Sequence, residues 1–82
     1  MIEVKKIAEY QKILNGLKPG PKTEARIQSV QEVVARNVEL MTSLQYSEFL
    51  GHCQNYGMSA KEVMTQKQAA ELVVKFDKIR SY

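Results

Sequence analysis

The second half of the chain repeats one short pattern, in which a Thr or Ser is followed three positions later by a Gln or Glu. The copies are Thr42-x-x-Gln45, Ser59-x-x-Glu62 and Thr65-x-x-Gln68. This is the pattern of a capping box: the hydroxyl accepts a hydrogen bond from a first-turn N–H, and the longer side chain bonds back to the capping residue. Each copy therefore predicts the first turn of a helix.

Apolar residues at helical spacing predict a first amphipathic helix over 2–15. Its stripe is formed by Ile7, Tyr10, Leu14 and Leu17. We expect Gly16 to end this helix in the left-handed conformation, which costs glycine no Cβ clash. The segment Lys18-Pro19-Gly20-Pro21-Lys22 cannot lie in the interior of a helix, because proline lacks an N–H and restricts the residue before it.

A second helix is predicted over 22–41, the longest of the chain. Its stripe is Ile27, Val30, Val34, either Asn37 or Val38, Met41 and Leu44. Asn37 lies on or beside this stripe, where a polar side chain most often caps a neighbour or fixes helix register and only rarely binds a ligand.

Thr42 predicts a third helix over 43–56, which Gly57 ends. Its stripe is Tyr46, Phe49, Leu50, Cys53 and Tyr56. The boxes at Ser59 and Thr65 allow two alternatives: one helix over 60–80, or a turn at 60–64 followed by a new helix over 66–80. We favour the second alternative because a fresh apolar stripe follows Thr65. That stripe is Ala69, Leu72, Val73, Phe76 and Ile79.

The pattern as a whole predicts an all-α fold, because no segment alternates apolar and polar residues with period two. We expect one domain, 1–82, built as a bundle of four main helices with short connections. The first two helices should form a hairpin across the proline-containing loop. The last two helices should pack against its open face.

The excess positive charge is confined to the first third of the chain. The formal net charge is +3; residues 1–26 contain six basic and three acidic residues, whereas residues 27–82 contain six of each. Such a surface suits an acidic partner or a phosphate backbone, although a solvated helix face would look the same. The candidate partner-binding residues are Lys5, Lys12, Lys18, Lys22 and Arg26.

The sequence predicts no catalytic, cofactor-binding or metal-binding residues, and a protein that is not an enzyme. His52 and Cys53 are adjacent, but neighbours on a helix point about 100° apart, so they do not form a nucleophile–base pair. One His and one Cys cannot complete a zinc site. Four tyrosines are candidate interface anchors, although core packing explains three of them as well. They are Tyr10, Tyr46, Tyr56 and Tyr82.

Cysteine content and hydropathy indicate the cellular compartment in which the protein is expected. Cys53 has no cysteine partner, which suits a reducing compartment. The first residues lack the apolar stretch of a signal peptide, and no apolar run is long enough to span a membrane. We therefore expect a cytoplasmic protein that does not insert into membranes.

Residues 42–79 carry a series of short motifs at fixed places. They are Thr42-x-x-Gln45, Phe49-Leu50, Tyr56-Gly57-Met58-Ser59, Glu62-Val63, and Thr65 with Gln68-Ala69-Ala70-Glu71-Leu72-Val73. This stretch resembles a helical module at the C-terminal end of phage and mobile-element recombination proteins, especially single-strand annealing proteins. The resemblance implies an accessory unit that contacts protein or nucleic acid, and a phage origin. It transfers no site residue.

These observations predict a small interaction protein without a cofactor, a phage-type regulator or inhibitor that binds a partner protein through an exposed helix face. If the protein is phage-encoded, it would act in the host cytoplasm. A homodimer is a further option, because a short chain buries a small core. The alternative is a nucleic-acid-binding accessory protein that uses the basic first third.

Overall fold

The computed structural model describes residues 2–80 and contains four α-helices joined by short connections. The helices are α1 (Val4–Gly16), α2 (Glu24–Leu40), α3 (Ser43–Asn55) and α4 (Gln66–Arg80), with a 3-10 turn (Ala60–Glu62) before α4. No strand occurs within residues 2–80. The predicted all-α bundle is confirmed, and each predicted boundary lies within two residues of the observed one.

The helices pack through three main pairwise contacts. α4 packs most extensively on α2, while α1 packs on both α2 and α3. The Gln66 side chain, at the start of α4, donates hydrogen bonds to the carbonyls of Val38 and Met41 at the end of α2. Arg80, at the end of α4, pairs with Glu32 in the middle of α2. α2 and α4 are therefore antiparallel.

The capping boxes at Thr42 and Thr65 form where the pattern places them, whereas at Ser59 both the N–H and the hydroxyl donate to the Glu62 carboxylate and the segment that follows is a 3-10 turn instead of an α-helix. At Thr65, the hydroxyl accepts a hydrogen bond from the Gln68 N–H at 3.1 Å, and the Thr65 N–H donates to the Gln68 side chain at 3.1 Å. The same reciprocal pair forms between Thr42 and Gln45. The Thr65 box begins a new helix, which confirms the favoured alternative of a turn followed by α4.

The two glycines predicted to end helices behave differently. Gly57 has φ +89° and belongs to a Schellman motif, in which its N–H bonds to the Gln54 carbonyl and the Met58 N–H bonds to the Cys53 carbonyl. The prediction for Gly16 is wrong, because Gly16 is the last residue of α1 and has no positive φ. The chain leaves α1 through Leu17 in an extended conformation, so no left-handed residue is needed.

The core draws side chains from every helix and from the connections. Its buried members are Val4, Ile7, Ala8, Val34, Ala35, Val38, Met41, Phe49, Cys53, Met58, Val63, Met64, Ala69 and Val73. Two predicted core positions are wrong: Leu44 is 71% exposed and Ile79 is 56% exposed. Leu44 fails because the chain is extended at Met41 and Thr42, so the stripe of α2 does not continue into α3.

Candidate functional site

The five basic residues predicted to bind a partner are all exposed, but they do not form one cluster. Lys5 lies near the start of α1 and Lys18 just beyond its end; the eleven helical residues between them span about 17 Å. The ammonium group of Lys12 lies 5.3 Å from the ring centroid of Tyr56 and so faces α3. Lys22 and Arg26 flank the start of α2. The loop and the first turn of α2 therefore keep three of the five together.

This basic loop is held in shape from within. The Thr23 hydroxyl donates hydrogen bonds to the carbonyls of Lys18 at 2.7 Å and Gly20 at 3.3 Å. The Thr23 and Glu24 N–H groups both bond to the Gly20 carbonyl. The side chains of Lys18, Lys22 and Arg26 form no ion pair within residues 2–80. They remain available to an anionic partner.

A second surface, absent from the sequence predictions, is a groove between α2 and α4. It consists of two adjoining cavities of about 480 Å³ and about 340 Å³. Gln31, Leu72 and Lys75 line both cavities, so the two form one depression. We call this depression the α2–α4 groove. It begins at the connection before α4 and runs along α4 to Arg80.

The two walls of the α2–α4 groove differ in chemistry. On α4, Leu72, Phe76 and Ile79 follow one another at spacings of four and three, which places them along one helix face. Leu72 and Phe76 are half-buried, and Ile79 is largely exposed. The α2 wall is polar, with the amides of Gln28 and Gln31. The groove thus presents an apolar row opposite a row of amides.

Ion pairs join the helices beside the groove. Arg36 pairs with Glu32 at 2.8 Å and with Asp77 at 2.7 Å, and Arg80 pairs with Glu32 at 2.7 Å. Hydrogen bonds to Asp77 and Glu32 raise the pKa of the Arg36 guanidinium. The Glu32 carboxylate, which lines the second cavity, is therefore neutralised by two arginines. The pairs thus balance the charge of Glu32 at the edge of the groove.

Gln11 fixes the end of the groove nearest α1. Its side chain is 2% exposed, and Oε1 accepts a hydrogen bond from the Met64 N–H at 3.0 Å. Its Nε2 donates to Asn15, which in turn donates to the Glu62 carbonyl and to the Met58 sulfur. Sequence reasoning missed this residue. The signal was the spacing Val4, Ile7, Ala8, Gln11, because these four positions share the buried face of α1.

Cys53 and His52, the two residues considered as a nucleophile–base pair, lie in the core or at its edge. Cys53 is fully buried, and burial raises the pKa of its thiol to about 11. His52 is half-buried in the last turn of α3. The Asn37 side chain is half-buried and donates to the Val33 carbonyl in its own helix, so it neither caps a neighbouring helix nor reaches one.

Three of the four candidate tyrosine anchors are half-buried, namely Tyr10, Tyr46 and Tyr56. The Tyr46 hydroxyl donates to the Met64 carbonyl at 2.9 Å, and the Tyr56 hydroxyl donates to Glu9 at 3.4 Å. Two of these hydroxyls are thus engaged within the protein, which fits the core-packing interpretation. Tyr82 lies outside the described residues.

Within residues 2–80, no three His, Cys, Asp or Glu side chains are grouped so as to hold a metal ion. Over the same range, no helix combines the length and the apolar character needed to cross a membrane. No protein-family model, curated protein or solved structure is found to match this chain.

Proposed function

We propose that this protein is a small non-enzymatic interaction protein that binds a segment of a partner protein in the α2–α4 groove, and that it acts as a regulator or inhibitor of that partner. The observation that carries the proposal is the continuity of the groove, whose two cavities share Gln31, Leu72 and Lys75. Recognition grooves of this kind combine an apolar surface with a few polar groups that set orientation. The lone, buried Cys53 suits the reducing conditions of the cytoplasm, where we place this role.

The exposed apolar row supports binding to protein rather than to a small polar solute. Leu72 and Phe76 are only half-covered, and Ile79 is 56% exposed although it follows them on the same face. Covering these side chains would remove apolar surface from water, which is worth about 25 cal/mol per Å² before the costs of association. A partner side chain inserted between Phe76 and Ile79 would gain most from this.

The test compares two matched substitutions in the full chain. Ile79→Asp places a charge in the groove, whereas Leu44→Asp places the same charge on a side chain that is 71% exposed and does not line the groove. Affinity capture from the lysate of the host cell, with each variant checked by circular dichroism, should lose a stoichiometric partner only with Ile79→Asp. Loss with Leu44→Asp alone, or with neither variant, contradicts the use of this groove.

A second candidate function, as a nucleic-acid-binding accessory, is favoured by the basic loop. Lys18, Lys22 and Arg26 are exposed and have no ion pair within the described part of the chain. Binding through phosphate contacts should weaken steeply as salt rises. A gel-shift assay at low salt would test it with charge reversal at all three positions. If the wild-type protein shifts no nucleic acid, this function is excluded.

A further inference from the structure

The α2 wall of the groove carries amide groups that the protein itself does not use. Gln31 is half-buried and lines both cavities, yet its side chain has no hydrogen bond within residues 2–80. Gln28, one turn earlier, is exposed and equally without a partner there. An amide offers both donors and an acceptor, which is what the N–H and C=O groups of an extended backbone require. A helical ligand would already have satisfied those groups within itself.

The charged side chains along the groove differ in whether another group of the protein already pairs with them. Lys75 is the one charged residue that lines both cavities, and it has no ion pair within the described residues. Glu71 and Lys61 line the first cavity, and the Glu62 carboxylate there accepts hydrogen bonds from Ser59. In the second cavity, Glu32 is neutralised by its arginines. A negative charge is therefore best accommodated beside Lys75, on the side away from Glu71.

We infer that the occupant of the α2–α4 groove is an extended segment of a partner protein that places one carboxylate side chain at Lys75 and apolar side chains on Leu72 and Phe76. This inference rests on the proposed function and specifies its ligand. The twelve steps from Gln68 to Arg80 along α4 span about 18 Å. An extended segment covers this length with about five or six residues, and its alternate side chains reach the same apolar row.

The experiment uses two acetylated and amidated hexapeptides with leucine at the first and fifth positions and serine at the second, fourth and sixth. One peptide has glutamate at the third position and the other has lysine there, so that the charge lies on the same face as the leucines. Titration into the 15N-labelled full chain should shift the amide signals of Gln31, Leu72 and Lys75. We expect the glutamate peptide to bind about three- to fivefold more tightly than the lysine peptide at low salt, because opposite charges meet at the exposed Lys75.

Substitutions then separate the two parts of the inference. Lys75→Glu should reverse the order of the two peptides, whereas Lys67→Glu, an exposed lysine of α4 that does not line the groove, should leave the order unchanged. Gln31→Leu should weaken both peptides about fivefold, the effect of one lost hydrogen bond. If Lys75→Glu reverses the order of the two peptides but Gln31→Leu leaves both affinities unchanged, recognition of the extended backbone is overturned.

Each failure has a different meaning. Equal affinity of the two peptides, with shifts in the groove, overturns the carboxylate requirement and leaves the proposed function standing. Absence of any shift at Gln31, Leu72 or Lys75 at millimolar peptide overturns the extended ligand itself. The proposed function is decided separately by the comparison of Ile79→Asp with Leu44→Asp.

Discussion

The side-chain oxygen of Gln11 accepts a hydrogen bond from the backbone N–H of Met64 at 3.0 Å, across 53 positions of sequence and away from solvent. This contact gives the connection before α4 a partner that it lacks locally, because Met64 lies outside every helix. Buried backbone donors are almost always paired, so the contact fixes the course of the chain as well as stabilising it.

Gln11→Leu should lower the free energy of unfolding by about 1–3 kcal/mol, because the Met64 N–H would then be buried without an acceptor. Urea denaturation measures the change. The matched substitution is Gln54→Leu, which removes the same amide from an exposed position of α3 and should alter stability by less than about 0.5 kcal/mol. Equal effects of the two substitutions would show that the buried contact contributes nothing.

Gly57→Ala should destabilise the protein by about 1–2 kcal/mol, because an L-residue at φ +89° brings its Cβ against the following carbonyl. Gly51→Ala should have the opposite sign. Gly51 lies inside α3 with open space around its Cα, and alanine is favoured over glycine there by about 1 kcal/mol. Thermal unfolding of the two variants would reveal the difference. The same sign of shift in both would contradict the Schellman geometry.

Thr65→Ala should cost about 1 kcal/mol of stability through loss of the side-chain acceptor for the Gln68 N–H. Amide hydrogen exchange should quicken in the first turn of α4. Ser47→Ala removes a hydroxyl from an exposed position inside α3 and serves as the control, with little change expected. If Thr65→Ala were as mild as Ser47→Ala, the start of α4 would not depend on its capping box.

The buried thiol of Cys53 predicts a dependence of stability on alkaline pH. Burial raises the pKa of Cys53 from 9.0 to about 11, so the folded state holds the thiol proton more tightly than the unfolded state. The contribution to stability is complete below pH 9.0 and is lost as the pH rises through about 11. Urea denaturation from pH 8 to 11 should show the decline, and Cys53→Ala should make it shallower. An identical slope would exclude Cys53 as the cause.

Local signals in the sequence were sufficient for the helices and insufficient for the surface between them. Thr42 and Thr65 cap their helices through residues three positions away, so a short window contains the whole interaction. Gln11 meets Met64 only after α1 and the distant connection have packed, and no local rule reports that distance. Apolar periodicity placed Ile7 on the buried face of α1 but identified neither Gln11 nor its partner.

The exposure of Ile79 and Leu44 shows the same limit of prediction from local sequence patterns. Apolar periodicity shows which side chains share a helix face, but not where a neighbouring helix ends or where the chain bends. The bend at Met41 and Thr42 takes Leu44 out of the stripe of α2, and Ile79 lies at the open end of the α2–α4 pair. The α2–α4 groove exists because apolar side chains at this end of the helix pair are incompletely covered. The sequence therefore includes the residues of the groove but does not reveal how they are arranged.

The Gln66 side chain, at the start of α4, donates hydrogen bonds to two carbonyls at the end of α2 and so links these two helix ends directly. Detachment of α4 would leave the Met41 carbonyl without its protein donor and the Val38 carbonyl with the Met41 N–H alone, at the same moment as it exposes Ala69 and Val73. Opening of α4 is therefore not independent fraying of a terminal helix. The last turn of α2 and the whole of α4 form one cooperative unit, whose amides should exchange with a common opening free energy.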